Sequence, residues 1–364
     1  SPWSLLTQVT FVKKIRLTGP QITLRGGDGP LLPFRMNRGK ESSDSSAGQA
    51  EKLNLVIRQI EIRNGRLAMQ RPSGEAFLTL VDLEGTVTPD LLMENFQAAL
   101  SAKNASDPAS RYTINGAIQN PSRPQLALSI DASFPLGDFN AVLPARFPMS
   151  GATRFTGKVV GNWSAPTVRG TLSVTDWTVS SKPVGRMNTV FLYHDRAVSF
   201  SEFSAAVLGG QISGNVHFSL AELLASEGPI PYGLSLQFTG LDPSAFLPIL
   251  GVEPYAARQQ LDGAVEIKGR IVGMHFDPAD LSGSGRLHLV KKEGAPSSSS
   301  LENPTTDSES GAIRLLAQLD EASTQFEMDR GTLHLKKTTA RTARSSLTVE
   351  GRIRSDGPIA LDVA

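Results

Sequence analysis

The chain is 364 residues long, and its 36 Lys and Arg against 35 Asp and Glu exclude a domain-wide basic surface of the kind that binds nucleic acid. With 40 % hydrophobic and 20 % charged residues it can bury a core, which excludes a disordered chain. Cysteine is absent, so thiolate catalysis, disulfides and Cys-ligated zinc are excluded as well.

Taken from the N-terminus, the dominant period is two. Val9, Phe11, Ile15 and Leu17 alternate with Thr10, Lys14 and Arg16, and Ile22 and Leu24 follow the turn at Gly19-Pro20. Residues 37–52 are polar and Ser-rich without periodicity, which reads as a solvated loop. Leu53, Leu55 and Ile57 alternate, and so do Ile60 and Ile62, but the parity flips between Ile57 and Ile60. A β-bulge near Arg58-Gln59 would bring both runs onto one face. Further alternating runs are Leu126-Leu128-Ile130, Val168-Leu172-Val174, Leu234-Leu236-Phe238, Val265-Ile267 and Leu347-Val349-Ile353, each bounded by turn-forming residues. His194-Asp195-Arg196 lies between two such runs and reads as a hairpin turn. Helical signals are few and short: a weak one after Asp138, two turns over residues 220–226, and a helix near 242–250 started by Asp242-Pro243. Residues 292–311 form a second Ser-rich loop.

Gly151, Gly157, Gly161 and Pro166 recur at the same spacing as Gly263, Gly269, Gly273 and Pro278. A second signature, a glycine two residues from an apolar residue on either side, appears at Ile114–Ile118, Ile212–Val216 and Val349–Ile353. Glycine inside a strand marks a bend, a bulge or a close backbone approach, so its recurrence predicts a sheet that curves at matching places. The expected fold is therefore mostly β: an elongated, curved, antiparallel sheet built from tandem repeats, with few short helices. The expected segments are N-terminal strands over 1–36, the loop 37–52, and β-repeat units over 53–150, 151–262 and 263–364, the last interrupted by the loop 292–311.

The opening stretch Phe11 to Leu24, the block Leu55 to Leu67, and Gly170–Val174 followed by Phe203–Gly210 and Ile212–Val216 resemble the AsmA-like and TamB-like proteins of the bacterial envelope. The resemblance implies an open, U-shaped β-groove in the periplasm, attached to the inner membrane by a helix that this chain does not include. It also implies that the groove carries phospholipid between inner and outer membranes, with a possible outer-membrane partner. The chain opens on Ser1 and shows no signal peptide and no run of about 18 apolar residues, so it reads as a piece of a larger protein. Two other functions share the pattern: TamB-like assembly of outer-membrane proteins, and a closed β-sandwich array acting as adhesin or scaffold.

If a groove forms, its wall is the apolar parity of the central repeat: Val168, Leu172, Val174, Val190, Leu192, Val198, Phe200, Ile212, Val216, Phe218, Leu234, Leu236 and Phe238. The expected ligand is a phospholipid or another acyl chain. Arg169, Thr171, Ser173, Thr175, Ser199, Ser213, Asn215, His217, Ser235 and Gln237 take the opposite, wet face. Phe191 and Tyr193 break this pattern, since they share the parity of the polar set.

No enzyme is expected. The 5 histidines show no metal-binding spacing. Gly157-Lys158 misses the phosphate-loop pattern, because Val159 stands where Ser or Thr would hold magnesium. Neither a cofactor nor nucleic acid is called for. The basic clusters Lys13-Lys14-Arg16, Lys291-Lys292 and Lys336-Lys337 read as solvated strand faces, each short of the roughly four to eight cations expected for lipid recognition.

Overall fold

The computed structural model describes residues 9–25, 54–70, 76–90, 94–120, 123–141, 148–219, 229–246, 259–272, 275–276, 280–292, 319–354 and 360–363. The chain is mostly β. Its strands are β1 (Val9–Val12), β2 (Ile15–Thr18), β3 (Gln21–Arg25), β4 (Asn54–Ile57), β5 (Ile60–Gln70), β6 (Ala76–Pro89), β7 (Asn95–Asn104), β8 (Arg111–Gln119) and β9 (Gln125–Pro135). Next come β10 (Met149–Asn162), β11 (Ala165–Val179), β12 (Lys182–His194), β13 (Ala197–Val207), β14 (Gly210–Ser219), β15 (Ile230–Leu241) and β16 (Gln259–Val272). The remainder are β17 (His275–Phe276), β18 (Ser282–Lys291), β19 (Glu321–Asp329), β20 (Thr332–Arg341), β21 (Ser346–Arg354) and β22 (Ala360–Val363). Helix is confined, among the described residues, to a 3-10 segment at Leu136–Ala141 and one turn at Pro243–Phe246. Asp242 immediately precedes the second, as its start signal requires, whereas Asp138 lies inside the 3-10 segment instead of before it. The expected turns over 220–226, the loop 37–52, Gly273, Pro278, 247–250 and nearly all of 292–311 lie outside the described residues.

The chain divides into two compact units, one of Ser1–Asp138, Thr153–Thr171 and Leu192–Arg196, the other of Phe139–Ala152, Leu172–Phe191 and Ala197–Ala364. In the first, β2 and β3 both lie parallel to β5, and β1 lies parallel to β4. From β5 to β9 each strand pairs antiparallel with the next. The parity flip at Arg58-Gln59 is not a bulge in one strand. It is a break between β4 and β5, matched by a break at Lys13-Lys14 between their parallel partners. The Ile15 N–H donates to the Gln59 carbonyl (2.9 Å) and the Arg58 N–H to the Val12 carbonyl (3.0 Å), stitching the two breaks together. The bulge itself comes later in β5, where Asn64 takes φ +53° and the register shifts between Ile62 and Gly65. This unit seals a core of Leu80, Leu83 and Ala102, flanked by Ile62, Leu67, Leu78, Leu100 and Tyr112. Burial, with the nearby carboxylates of Asp138 and Asp107 adding to it, pushes the Tyr112 hydroxyl up to about 12.

In the second unit an antiparallel meander runs β13-β14-β15-β16-β18-β19-β20-β21-β22, with β17 folded back on the end of β16. Its last strand, β22, is laddered to β21 alone, and the sheet does not close into a barrel. Two-residue turns join strands where both residues take positive φ: Asp195 (+48°) and Arg196 (+59°) after β12, Leu208 (+49°) and Gly209 (+77°) after β13. That is the tight turn expected at His194–Arg196, whose handedness matches strand twist.

The recurrent glycines sit where the backbone of a neighbouring strand comes too close for a side chain. A Cβ on Gly116 would lie 2.2 Å from the Ala127 carbonyl oxygen, and one on Gly214 would lie 2.0 Å from that of Ser235. Their φ values of +143° and +148° are closed to other residues as well. Two glycines of the offset repeat behave alike, a Cβ on Gly151 falling 2.8 Å from the Thr175 carbonyl oxygen and one on Gly263 2.5 Å from that of Arg286, whereas Gly161 has room for one. Gly116→Ala and Gly214→Ala should each destabilise by about 2–4 kcal/mol, since a clash adds to a strained backbone. Gly19→Ala, with open space around it, should lose only about 1–2 kcal/mol from its positive φ. Thermal melts with amide hydrogen exchange at the flanking strands would read the difference; equal losses at all three sites would contradict the close-approach account.

Candidate functional site

The β-ladders of the second unit decide which apolar side chains meet. Antiparallel pairing places Val198 opposite Phe218, Phe200 opposite Val216 and Ala205 opposite Ile212. It then places Ile212 opposite Phe238, Gly214 opposite Leu236, Val216 opposite Leu234 and Phe218 opposite Tyr232. Residues paired across a ladder share a face, so the expected wall residues of β13, β14 and β15 form one apolar side. Ser213, Asn215, His217, Ser235 and Gln237 alternate with them and are exposed.

The remaining expected wall residues divide. Leu172 and Val174 lie in the second unit on β11, while Val168 and Leu192 belong to the first unit. Val174 is only 1 % exposed, packed where Gly151 leaves room, so it is core and not accessible wall. On β12 the parity is reversed. The Phe191 ring meets Phe200 edge-on with centroids 5.7 Å apart, which puts Phe191 on the wall side and, by alternation, turns Val190 and Leu192 away from it. The aromatic row continues through Phe200–Phe218 at 6.5 Å and Phe218–Tyr232 at 6.4 Å. Tyr232 is 7 % exposed, with Gly269 leaving space beside its hydroxyl, and burial raises the hydroxyl pKa above 10.

The apolar side runs further than the periodicity of single strands indicates. One row crosses Val216, Leu234, Ile267, Gly283, Met328, Leu333 and Ile353; its neighbour crosses Gly214, Leu236, Val265, Gly285, Phe326 and Leu335. The rings of Phe238 and Phe326 lie over Gly263 and Gly285, each within 3 Å of where a Cβ would sit. Phe326, Met328, Leu333 and Leu335 alternate in the sequence as the wall strands do, and that was the signal available for them. From β18 to β21 none of the described side chains is buried; the apolar ones are half-buried, except Leu347, which is exposed. All described strands of this unit belong to one sheet. A hollow of about 600 Å³ lies among Gln237, Phe238, Ala264, Arg286, Leu287 and Lys337, so polar and apolar side chains line it together.

In the first unit the charges gather on one carboxylate. Glu61 receives Lys14 at 2.8 Å, Arg16 at 2.7 Å and Arg63 at 2.9 Å, and these hydrogen bonds, Lys14 foremost, lower its pKa to about 2. No group of metal-ligating side chains occurs among the described residues, and no described helix is long and apolar enough to cross a membrane. Comparison with family models, curated proteins and solved structures finds no match.

The Glu61 carboxylate is more acidic folded than unfolded, so its ion pairs stabilise fully above the unfolded value of about 4.5 and fade as pH falls toward 2. The stability difference between wild type and Glu61→Gln should therefore be flat from neutral pH to about 5 and shrink to near zero by pH 2. Denaturant titrations across that range would measure it; a difference that persists at pH 2 would show that Glu61 acts by packing and not by charge.

Proposed function

We propose that the chain is a lipid-binding protein of the AsmA-like and TamB-like kind, not an enzyme, whose second unit takes acyl chains against the apolar side of β13–β21. The observation that carries this reading is that a continuous apolar face, with Phe326, Met328, Leu333 and Leu335 in it, is half-exposed instead of sealed. Contiguous exposed apolar surface is uncommon in soluble proteins without a ligand or partner for it. A β-sandwich adhesin would need interdigitated sheets about 10 Å apart, and its facing side chains would be buried. The resemblance of Phe11–Leu24, Leu55–Leu67, Gly170–Val174, Phe203–Gly210 and Ile212–Val216 to envelope proteins supports the same reading and extends it: phospholipid carried between inner and outer membranes, in the periplasm of a bacterial cell, with the inner membrane as one partner.

Charge substitution tests the reading. Ile212→Asp and Leu236→Asp should fold, because their half-buried positions let the carboxylate reach water, yet lose at least about tenfold in affinity for a fluorescent fatty acid. Val174→Asp should fail to fold, since a fully buried unpaired charge exceeds the stability of most domains. Circular dichroism separates folding from binding. Mass spectrometry of protein purified from membranes should find co-purified phospholipid. The proposal fails if wild type takes up neither probe nor lipid, or if Ile212→Asp and Leu236→Asp unfold as Val174→Asp does.

A further inference from the structure

The parallel strands of the first unit assemble a basic surface that sequence order disperses. Pairing of β2 with β5 sets Arg16 beside Glu61 and Thr18 beside Arg63, and pairing of β3 with β5 sets Gln21 beside Arg66. Arg58 is tied through its backbone to Val12, next to Lys13. Lys13, Lys14, Arg16, Arg58, Arg63 and Arg66 are all exposed and lie along one margin of this unit. Against them stand Glu61, already shared by three cations, and Glu84, which β6 brings opposite the bulge after Ile62. Asp82 on the same strand is paired with Lys103. The margin therefore carries a net excess of four positive charges, with six cations where the separate clusters hold two or three.

Charge alone would suit any polyanion. The second observation separates a lipid surface from the others. Phe11 is 55 % exposed, Leu17 42 % and Ile22 38 %, and they stand on β1, β2 and β3. Leu17 and Ile22, paired with Ile62 and Leu67, take the sheet face opposite Arg16, Arg63 and Arg66, so the apolar and the basic side chains come together at the edge and an edge-on approach presents both. Among the described residues, β2 and β3 are laddered to β5 alone, so they form the edge of the described sheet. Cations for phosphate oxygens together with bare apolar side chains for the acyl boundary are the requirements of a peripheral membrane contact. We infer that the β1–β3 margin docks on an anionic lipid surface. This rests on residues of the first unit and is independent of whether the second unit binds acyl chains.

Sedimentation of the intact chain with vesicles tests it. The chain should bind phosphatidylcholine vesicles doped with phosphatidylglycerol, should bind pure phosphatidylcholine vesicles far less, and should weaken as salt screens the charges. The triple variant Lys13→Gln, Arg58→Gln, Arg66→Gln leaves the Glu61 ion pairs in place and should lose about 100-fold in affinity, each cation near such a surface being worth roughly a factor of five. Leu17→Ser with Ile22→Ser should abolish the binding that survives at high salt. Ile212→Asp, which disables the apolar side of the other unit, should leave vesicle binding unchanged. The inference is overturned by absence of binding to the doped vesicles, by an unchanged triple variant, by loss of binding in Ile212→Asp, or by double-stranded DNA competing as strongly as anionic lipid.

Discussion

A pleated strand turns successive side chains to opposite sides, so everything in this protein depends on whether neighbouring strands hold a register in which their apolar sides coincide. In the second unit they do, strand after strand. Phe200, Val216, Leu234 and Ile267 stand in one line because four consecutive strands keep step, and a slip of one residue at any of them would turn its apolar set into water. The step is protected at its weak points. Between Phe200 and Phe203 the register shifts, and Glu202 takes φ +52° to absorb the extra residue, so that Phe203 returns to the side of Phe200 opposite Gly214. The Glu202 N–H freed by this bulge donates to the Asn215 side-chain oxygen at 3.3 Å, a bond from the next strand that holds the correction in place.

Holding an apolar side half-open has an energetic consequence. A fully buried Leu or Phe contributes about 1.5–3 kcal/mol, and the half-buried residues of β18–β21 forgo a good part of it. Backbone ladders and local polar pairs take more of the load there: the Thr324 and Thr338 hydroxyls bond at 2.7 Å, and Ser323 and Thr339 at 2.9 Å, across β19 and β20. An apolar ligand on this side would add the missing contacts and stabilise the unit in proportion to its occupancy. Surface that weakens the empty protein is retained where it serves binding.

What the sequence reveals is local, and what it conceals is pairing. Strand alternation, the turn at Asp195-Arg196 and the glycine signatures are each contained in a few consecutive residues, and each is present in the structure. The expectation for Val190 and Leu192 fails because the two-residue turn at Asp195-Arg196 reverses odd-even parity between β12 and β13, which numbering alone does not show. Only the contact of Phe191 with Phe200 shows which side β12 presents. The basic margin was hidden for a related reason. Parallel pairing joins Arg16 to Glu61 across the chain, and periodicity within either strand does not name its partner.

The two units show how one alternation yields opposite outcomes. In the first, the apolar rows include Ala98, Ala102, Ala132 and Gly116, small residues over which Leu80, Leu83 and Leu126 close until they are no more than 7 % exposed. In the second, from β18 onward, the rows are filled by Phe326, Met328, Leu333 and Leu335, with Gly283, Gly285 and Gly351 among them and a phenyl ring over Gly285. These large side chains lie on one described sheet and are left half-buried. Side-chain size along the rows, as well as strand pairing, therefore goes with whether a stretch of this sheet seals or stays half-open.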